Sequence, residues 1–187
     1  MNHKPNNNIA MMRYFFFVFL LTFNACTWAQ SSKGKVKVAS KGISAPYNLP
    51  AESGDFKGDM LAMVNTIRAS GCKCGSKNMP PVAPVKWNDR LESAAINHAR
   101  DMYKNKFFDH LGSDGSEIDN RVERVGYKWM EVGENIAWGY KNTTDTMIGW
   151  LKSTSHCRQL MSPKVTEMGV ARHGDYWVQD FGKQRTW

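Results

Sequence analysis

Apolar residues fall at helical spacing in several stretches of the chain and at strand-like density near its end. From residue 55, Met60, Leu61, Val64 and Ile67 mark one helix face, and Gly71 ends the run. A loop follows over residues 72–84, punctuated by Gly75, Pro80, Pro81 and Pro84. Asn88 then caps a second helix whose apolar face runs through Leu91, Ala94, Ala95, His98, Ala99 and Met102. Ser116 is the expected cap of a third, ending at Gly126. Residues 143–155 form a fourth, with Met147, Ile148, Trp150 and Leu151 as its buried stripe. Between these last two, residues 134–140 read as an irregular strand or a tight loop. Residues 167–172 and 176–181 read as strands joined by a hairpin turn at His173-Gly174-Asp175. Helices first and a hairpin last predict an α+β domain with helices packed on an antiparallel sheet.

The ends alter that picture. Residues 11–29 have the form of a secretory signal: Arg13, an apolar run from Tyr14 to Phe23, then Thr27-Trp28-Ala29 before Gln30. Ten mostly polar residues precede it, so a start at Met11 or Met12 is expected. The rival reading is a lipoprotein box at Phe23-Asn24-Ala25-Cys26, with a lipidated Cys26 tethering the domain to a membrane. Residues 30–54, rich in Lys, Ser, Gly and Pro, read as a flexible linker, which leaves residues 55–187 as one domain. The expected location is therefore secreted or periplasmic.

The formal net charge is +8. Without residues 1–29, which carry Lys4 and Arg13 and no acid, it is about +6. The excess is spread out, and no basic stripe points to nucleic acid. With Cys26 set aside, Cys72, Cys74 and Cys157 make an odd number, so one bridge and one free thiol are expected. Cys72–Cys157 and Cys74–Cys157 are both open. A bridge between Cys72 and Cys74 is strained.

The candidate chemistry centres on Glu134, in Val-Gly-Glu-Asn-Ile-Ala, with His110 upstream and His156 downstream. Two imidazoles and a carboxylate are a sensible zinc set with an open fourth position, although no His-Glu-x-x-His motif is present. Ser113 and Ser116 near His110, and Ser153 and Ser155 near His156, allow a Ser-dependent hydrolase to be imagined, but no nucleophile elbow occurs. His98, on an apolar helix face, reads as a packed core histidine. Trp138 reads as core, and Trp129, Trp138 and Tyr140 are the aromatics available to line a cleft.

Several stretches also agree, in order and spacing, with a known family. They include Met63-Val64-Asn65-Thr66-Ile67-Arg68, Trp87-Asn88-Asp89-Arg90-Leu91, His98-Ala99, His110 with Ser113-Asp114-Gly115, Gly133-Glu134-Asn135-Ile136-Ala137, Trp150 with His156, Glu167-Met168-Gly169-Val170-Ala171 and Tyr176-Trp177-Val178-Gln179. Over residues 56–182 the chain resembles the CAP superfamily of cysteine-rich secretory, antigen 5 and pathogenesis-related proteins, also called SCP domains, in its bacterial secreted form. The resemblance implies a three-layer α-β-α sandwich with a small antiparallel sheet. It also implies a cleft of two His and two Glu able in some members to bind zinc, with His110, Glu134 and His156 at three of those positions. Ser153 stands where the second Glu is expected, with Glu117 or Glu131 as substitutes. Binding of sterols, fatty acids or proteins is the functional expectation, and a zinc- or Ser-dependent hydrolase is the alternative. A Cys157–His156 catalytic pair is disfavoured, because adjacent residues seldom reach attack geometry. Cys74, followed by Gly75, is the expected partner of Cys157 in a bridge that ties the Pro-rich loop to the fourth helix.

Overall fold

The computed structural model describes residues 47–186. The expected signal at residues 11–29, Cys26 and the first part of the expected linker lie outside the described residues. In chain order come α1 (Phe56–Ser70), β1 (Cys72–Cys74), β2 (Lys77–Met79), β3 (Lys86–Trp87), α2 (Asp89–Asn105), α3 (Ile118–Arg124), β4 (Trp129–Trp138), α4 (Thr143–Lys152), α5 (Thr154–Leu160), β5 (Glu167–His173) and β6 (Tyr176–Gln184).

Four strands make the central sheet, in the order β3-β5-β6-β4. The two contacts that β6 makes are antiparallel, as expected, whereas the short β3 runs parallel to β5. Successive side chains of a strand point to opposite faces, and the apolar residues divide accordingly. Met168, Val170, Trp177 and Phe181 pack with Met60, Val64, Trp150, Leu151 and Leu160 from α1, α4 and α5. Val178, Ala171 and Ile136 pack with Ala95, Ala99 and Met102 of α2. The result is the three-layer α-β-α sandwich. Gly169 lets α2 lie close on β5, since a Cβ there would meet the backbone of Glu92. Gly174, at φ +60°, closes the β5–β6 turn in the left-handed region that glycine tolerates.

Several local expectations are corrected. The stretch after Gly71 is not plain loop: β1 and β2 pair as a small hairpin. Glu117, not Ser116, caps α3, and it exchanges hydrogen bonds with Asn120. Residues 134–138 belong to the ten-residue strand β4, whose pairing with β6 slips between Trp129 and Glu131, and the strand ends before Gly139 and Tyr140. The fourth helix stops at Lys152, and Ser153, in extended conformation, separates it from α5. Trp138 is 60% exposed rather than buried. Residues expected to end a flexible linker lie on the domain instead: Tyr47 and Leu49 pack against the core, and Ser53 donates to Asp59.

The Cys74–Cys157 bridge joins β1 to α5, and among the described residues Cys72 carries the free thiol. Arg68, fully buried on α1, donates to the carbonyls of Ala83, Leu160 and Ser162, which pins both of the loops that cross that face.

Candidate functional site

Glu134 lies on β4 opposite Asp180 of β6, so both side chains project to the sheet face that α2 covers. Its side chain is only 3% exposed. A carboxylate removed from water needs partners, and two cations supply them. Nδ1 of His110 lies 2.7 Å from Oε1, and a guanidinium nitrogen of Arg121 donates to Oε2 at 2.7 Å. Burial pushes the Glu134 carboxyl up, but the His110 hydrogen bond and the charge of Arg121 outweigh it and hold the group below its ordinary value.

Local turns position these partners. Lys106, in left-handed conformation, ends α2. The Asp109 side chain accepts the amide of Leu111, and its carbonyl lies 3.0 Å from Nε2 of His98. This leaves His110 on a bend, with its ring 57% exposed and one nitrogen on Glu134. His98 is the buried histidine that its helix position implies. Its Nε2–H donates to Asp109 and lies 3.9 Å from Glu134. Burial first holds His98 below the ordinary imidazole value, whereas the Glu134 hydrogen bond raises His110. Arg121, 6% exposed, also donates to the carbonyls of His110 and Ser116, so one side chain locks the bend, the residue before the α3 cap and the carboxylate together.

Asp180 completes the cluster. It is fully buried, and neither of its oxygens has a hydrogen-bond partner as an anion. Burial and the neighbouring charge of Glu134 push its carboxyl well up. Two adjacent carboxylates cannot both ionise in so dry a place. With a proton, Asp180 can hydrogen-bond to Glu134 rather than repel it.

His156 approaches from the other layer. It sits on α5, and its carbonyl accepts the side-chain amide of Asn135, which points away from the Glu134 face. Burial, then the charge of His110, holds its imidazole below the ordinary value. His110, on the bend after α2, and His156, on α5, thus meet β4 at the adjacent residues Glu134 and Asn135.

A cleft of about 360 Å³ opens beside His110, lined by Asp109, Leu111, Glu117, Ile118, Arg121 and Glu134. Of the two substitutes for a second Glu, Glu117 borders this cleft, whereas Glu131 lies 3.5 Å from Lys164. Ser153 Oγ lies 3.2 Å from Ser155 Oγ, and Ser113 Oγ donates to Asp101. Neither pair is a serine hydrogen-bonded to a histidine.

The donor set fits zinc poorly as arranged. Both oxygens of Glu134 are spent on protein cations, and the Arg121 charge opposes a second cation beside it. Among the described residues, the His, Cys, Asp and Glu donor atoms found in a group within 4.8 Å of one another are the sulfurs of Cys72, Cys74 and Cys157.

Arg121 and Asp180 were not apparent from the sequence. An arginine on a short helix reads as a solvated charge. Asp180 did leave a signal, an acid inside the apolar run Tyr-Trp-Val-Gln-Asp-Phe.

Residues 61–181 match the family model described as the cysteine-rich secretory protein family, CAP. Among curated relatives, the uncharacterized membrane protein YlbC of Bacillus subtilis is 29% identical over 55% of this chain and 30% of its own length. The uncharacterized protein YkwD of the same organism is 23% identical over 81% of this chain and 56% of its own length. The chain thus spans between about a third and about half of the curated relatives it matches. Among solved structures, an extracellular protein containing a SCP domain from Bacillus anthracis superposes with a TM-score of 0.62 at 23% identity, over 68% of this chain and 40% of the other. An outer surface protein from Borrelia burgdorferi superposes at 0.53 and 23% identity, over 56% and 80% respectively. Among the described residues no helix is long and apolar enough to cross a membrane.

Proposed function

The chain belongs to the cysteine-rich secretory protein family, CAP, and from that premise we propose that it is an exported binding or interaction module that takes its ligand in the cleft beside His110. The observation that carries this reading is the division of labour at Glu134. Its charge is matched inside the protein by His110 and Arg121, while the exposed ring of His110 faces a cleft that also presents Leu111 and Ile118. Leu111 is itself 48% exposed. A cleft that combines one oriented polar group with apolar walls suits an amphipathic ligand. Its polar end would meet the imidazole, and its apolar body would lie along Leu111 and Ile118. A lipid, fatty acid or sterol has that chemistry. An extracellular protein presenting an apolar side chain is the other class.

Export rests on the signal-like residues 11–29 and on neighbours that are themselves an extracellular protein and an outer surface protein. Such a module is secreted or periplasmic, or is held at a membrane through Cys26. Mass spectrometry of the mature N-terminus separates Gln30 from an acylated Cys26.

The functional test is a titration of the full chain with fluorescent fatty acid and sterol probes, alongside native mass spectrometry of the purified protein. Saturable binding is expected, weakened by Leu111→Asp and by His110→Ala. If the protein carries no lipid and binds none on titration, the lipid reading fails and protein partners remain.

A further inference from the structure

The cysteines form a cluster separate from the cleft. Cys72 and Cys74 are two apart on β1, so their side chains leave the strand on the same side. That side meets Cys157 of α5. The free Sγ of Cys72 lies 3.5 Å from Sγ of Cys157 and 3.8 Å from Sγ of Cys74. Cys74 and Cys157 are fully buried, and Cys72 is half-buried.

Two uses of such a triangle can be compared on geometry. Thiol–disulfide exchange needs the attacking sulfur on the extension of the bond, hence about 2 Å farther from the leaving sulfur than from the attacked one. The two distances from Cys72 differ far less than that, so its sulfur sits beside the bond, not behind it. Chelation needs three sulfurs mutually separated by the edge of a tetrahedron. With metal–sulfur bonds of about 2.3 Å, that edge is about 3.8 Å. Both contacts of Cys72 are already close to this value. The third edge opens once the bridge is reduced.

We propose that, on reduction of the Cys74–Cys157 bridge, Cys72, Cys74 and Cys157 form a three-sulfur site for one thiolate-seeking cation of the zinc type. Thiolates select such ions over hard cations. With the bridge closed this cluster offers one thiol and no site, so metal uptake there is gated by the redox state of a single bond. A dithiol reductant supplies the two electrons and two protons that turn the bridge into two thiols, and becomes a cyclic disulfide itself. Binding then releases up to three protons as the sulfurs ionise. The remaining coordination position is left to water on the partly exposed side of Cys72.

The test uses the full chain carrying Cys26→Ser, which leaves Cys72, Cys74 and Cys157 as its cysteines, and cadmium ion as the probe. The protein is reduced with a water-soluble phosphine, which leaves as its oxide, and is desalted without oxygen. The sulfur-to-cadmium charge-transfer band is then followed, a signal that the imidazoles and carboxylate of the cleft cannot produce. One cadmium per reduced chain is expected, and none for the oxidised chain. The reduced Cys72→Ser protein, which keeps the native bridge during folding, should bind at least about 100-fold more weakly, a larger loss than removal of an outer-shell partner usually brings. An equal band from the oxidised protein or from Cys72→Ser would overturn the proposal. Circular dichroism covers loss of the fold on reduction. In that case cadmium or zinc must restore the helical signal of the reduced wild type, and failure to do so also overturns it.

Discussion

Glu134 and Asp180 are register partners across β4 and β6, and their environments drive the two carboxyls in opposite directions. Glu134 is held below its ordinary value between His110 and Arg121, whereas burial keeps a proton on Asp180. A group with a raised folded value contributes stability that is complete below the unfolded carboxylate value, about 3.9, and is lost as pH rises through the folded value. Asp180→Asn has no proton to lose. Its Tm relative to the wild type should therefore climb as pH rises from about 4 through the folded value of Asp180, as calorimetry will show. Parallel profiles would mean that Asp180 does not hold the proton.

Arg121 should be the residue whose loss hurts the site most. Arg121→Ala removes three interactions and leaves Glu134 buried with one cation fewer. Breaking a buried pair from one side costs about 3–5 kcal/mol, so urea denaturation should register a loss of that order. Arg121→Lys should recover only part of it, because an ammonium cannot reach the carbonyls and the carboxylate together as the planar fork does. Full recovery would reduce Arg121 to a point charge.

His110 and His156 should titrate apart, on either side of the ordinary imidazole value of 6.5. The stability from the His110–Glu134 contact is whole below that value and fades as pH rises through the folded value of His110. His156 has the opposite sign: its contribution is whole above the ordinary value and is lost as pH falls through its lowered one. Ring-proton NMR shifts across the acid-to-neutral range will give the order directly. A reversed order would place the Glu134 charge elsewhere.

Metal analysis of the oxidised protein purified without chelator should find no stoichiometric zinc, and His110→Ala with His156→Ala should leave the metal content unchanged. One zinc per chain, lost in the double variant, would show that Glu134 exchanges Arg121 for a metal.

The bridge should tolerate loss of Cys74 better than loss of Cys157. In Cys74→Ser, Cys72 lies close enough to Cys157 to form a substitute bridge. In Cys157→Ser the one pairing left among the described cysteines, Cys72 with Cys74, is strained. The native bridge closes a loop with a sequence separation of 83, for which the chain-entropy model gives about 4–5 kcal/mol. Denaturation should show most of that loss in Cys157→Ser and little in Cys74→Ser. Peptide mapping under non-reducing conditions should find Cys72 joined to Cys157 in the latter.

The patterning along the chain determined a good deal by itself. Periodic Met, Val, Leu and Ala positions placed α1, α2 and α4, because burying one face of a helix leaves that spacing in any sequence. Gly174 between two apolar runs placed the β5–β6 hairpin, and the three cysteines left with Cys26 set aside foretold one bridge and one thiol. Local pattern could not place Arg121 or Asp180 beside Glu134, since neither charge has its partner on its own element. It could not divide the fourth helix at Ser153 or expose Trp138, which stands at the end of the edge strand β4 where no layer covers it. Nor could it show that Glu134 and Asn135, adjacent in sequence, serve opposite faces of the sheet, one meeting the ring of His110 and the other the carbonyl of His156. Those outcomes depend on which side of β4 each helix packs, and long-range packing alone decides that.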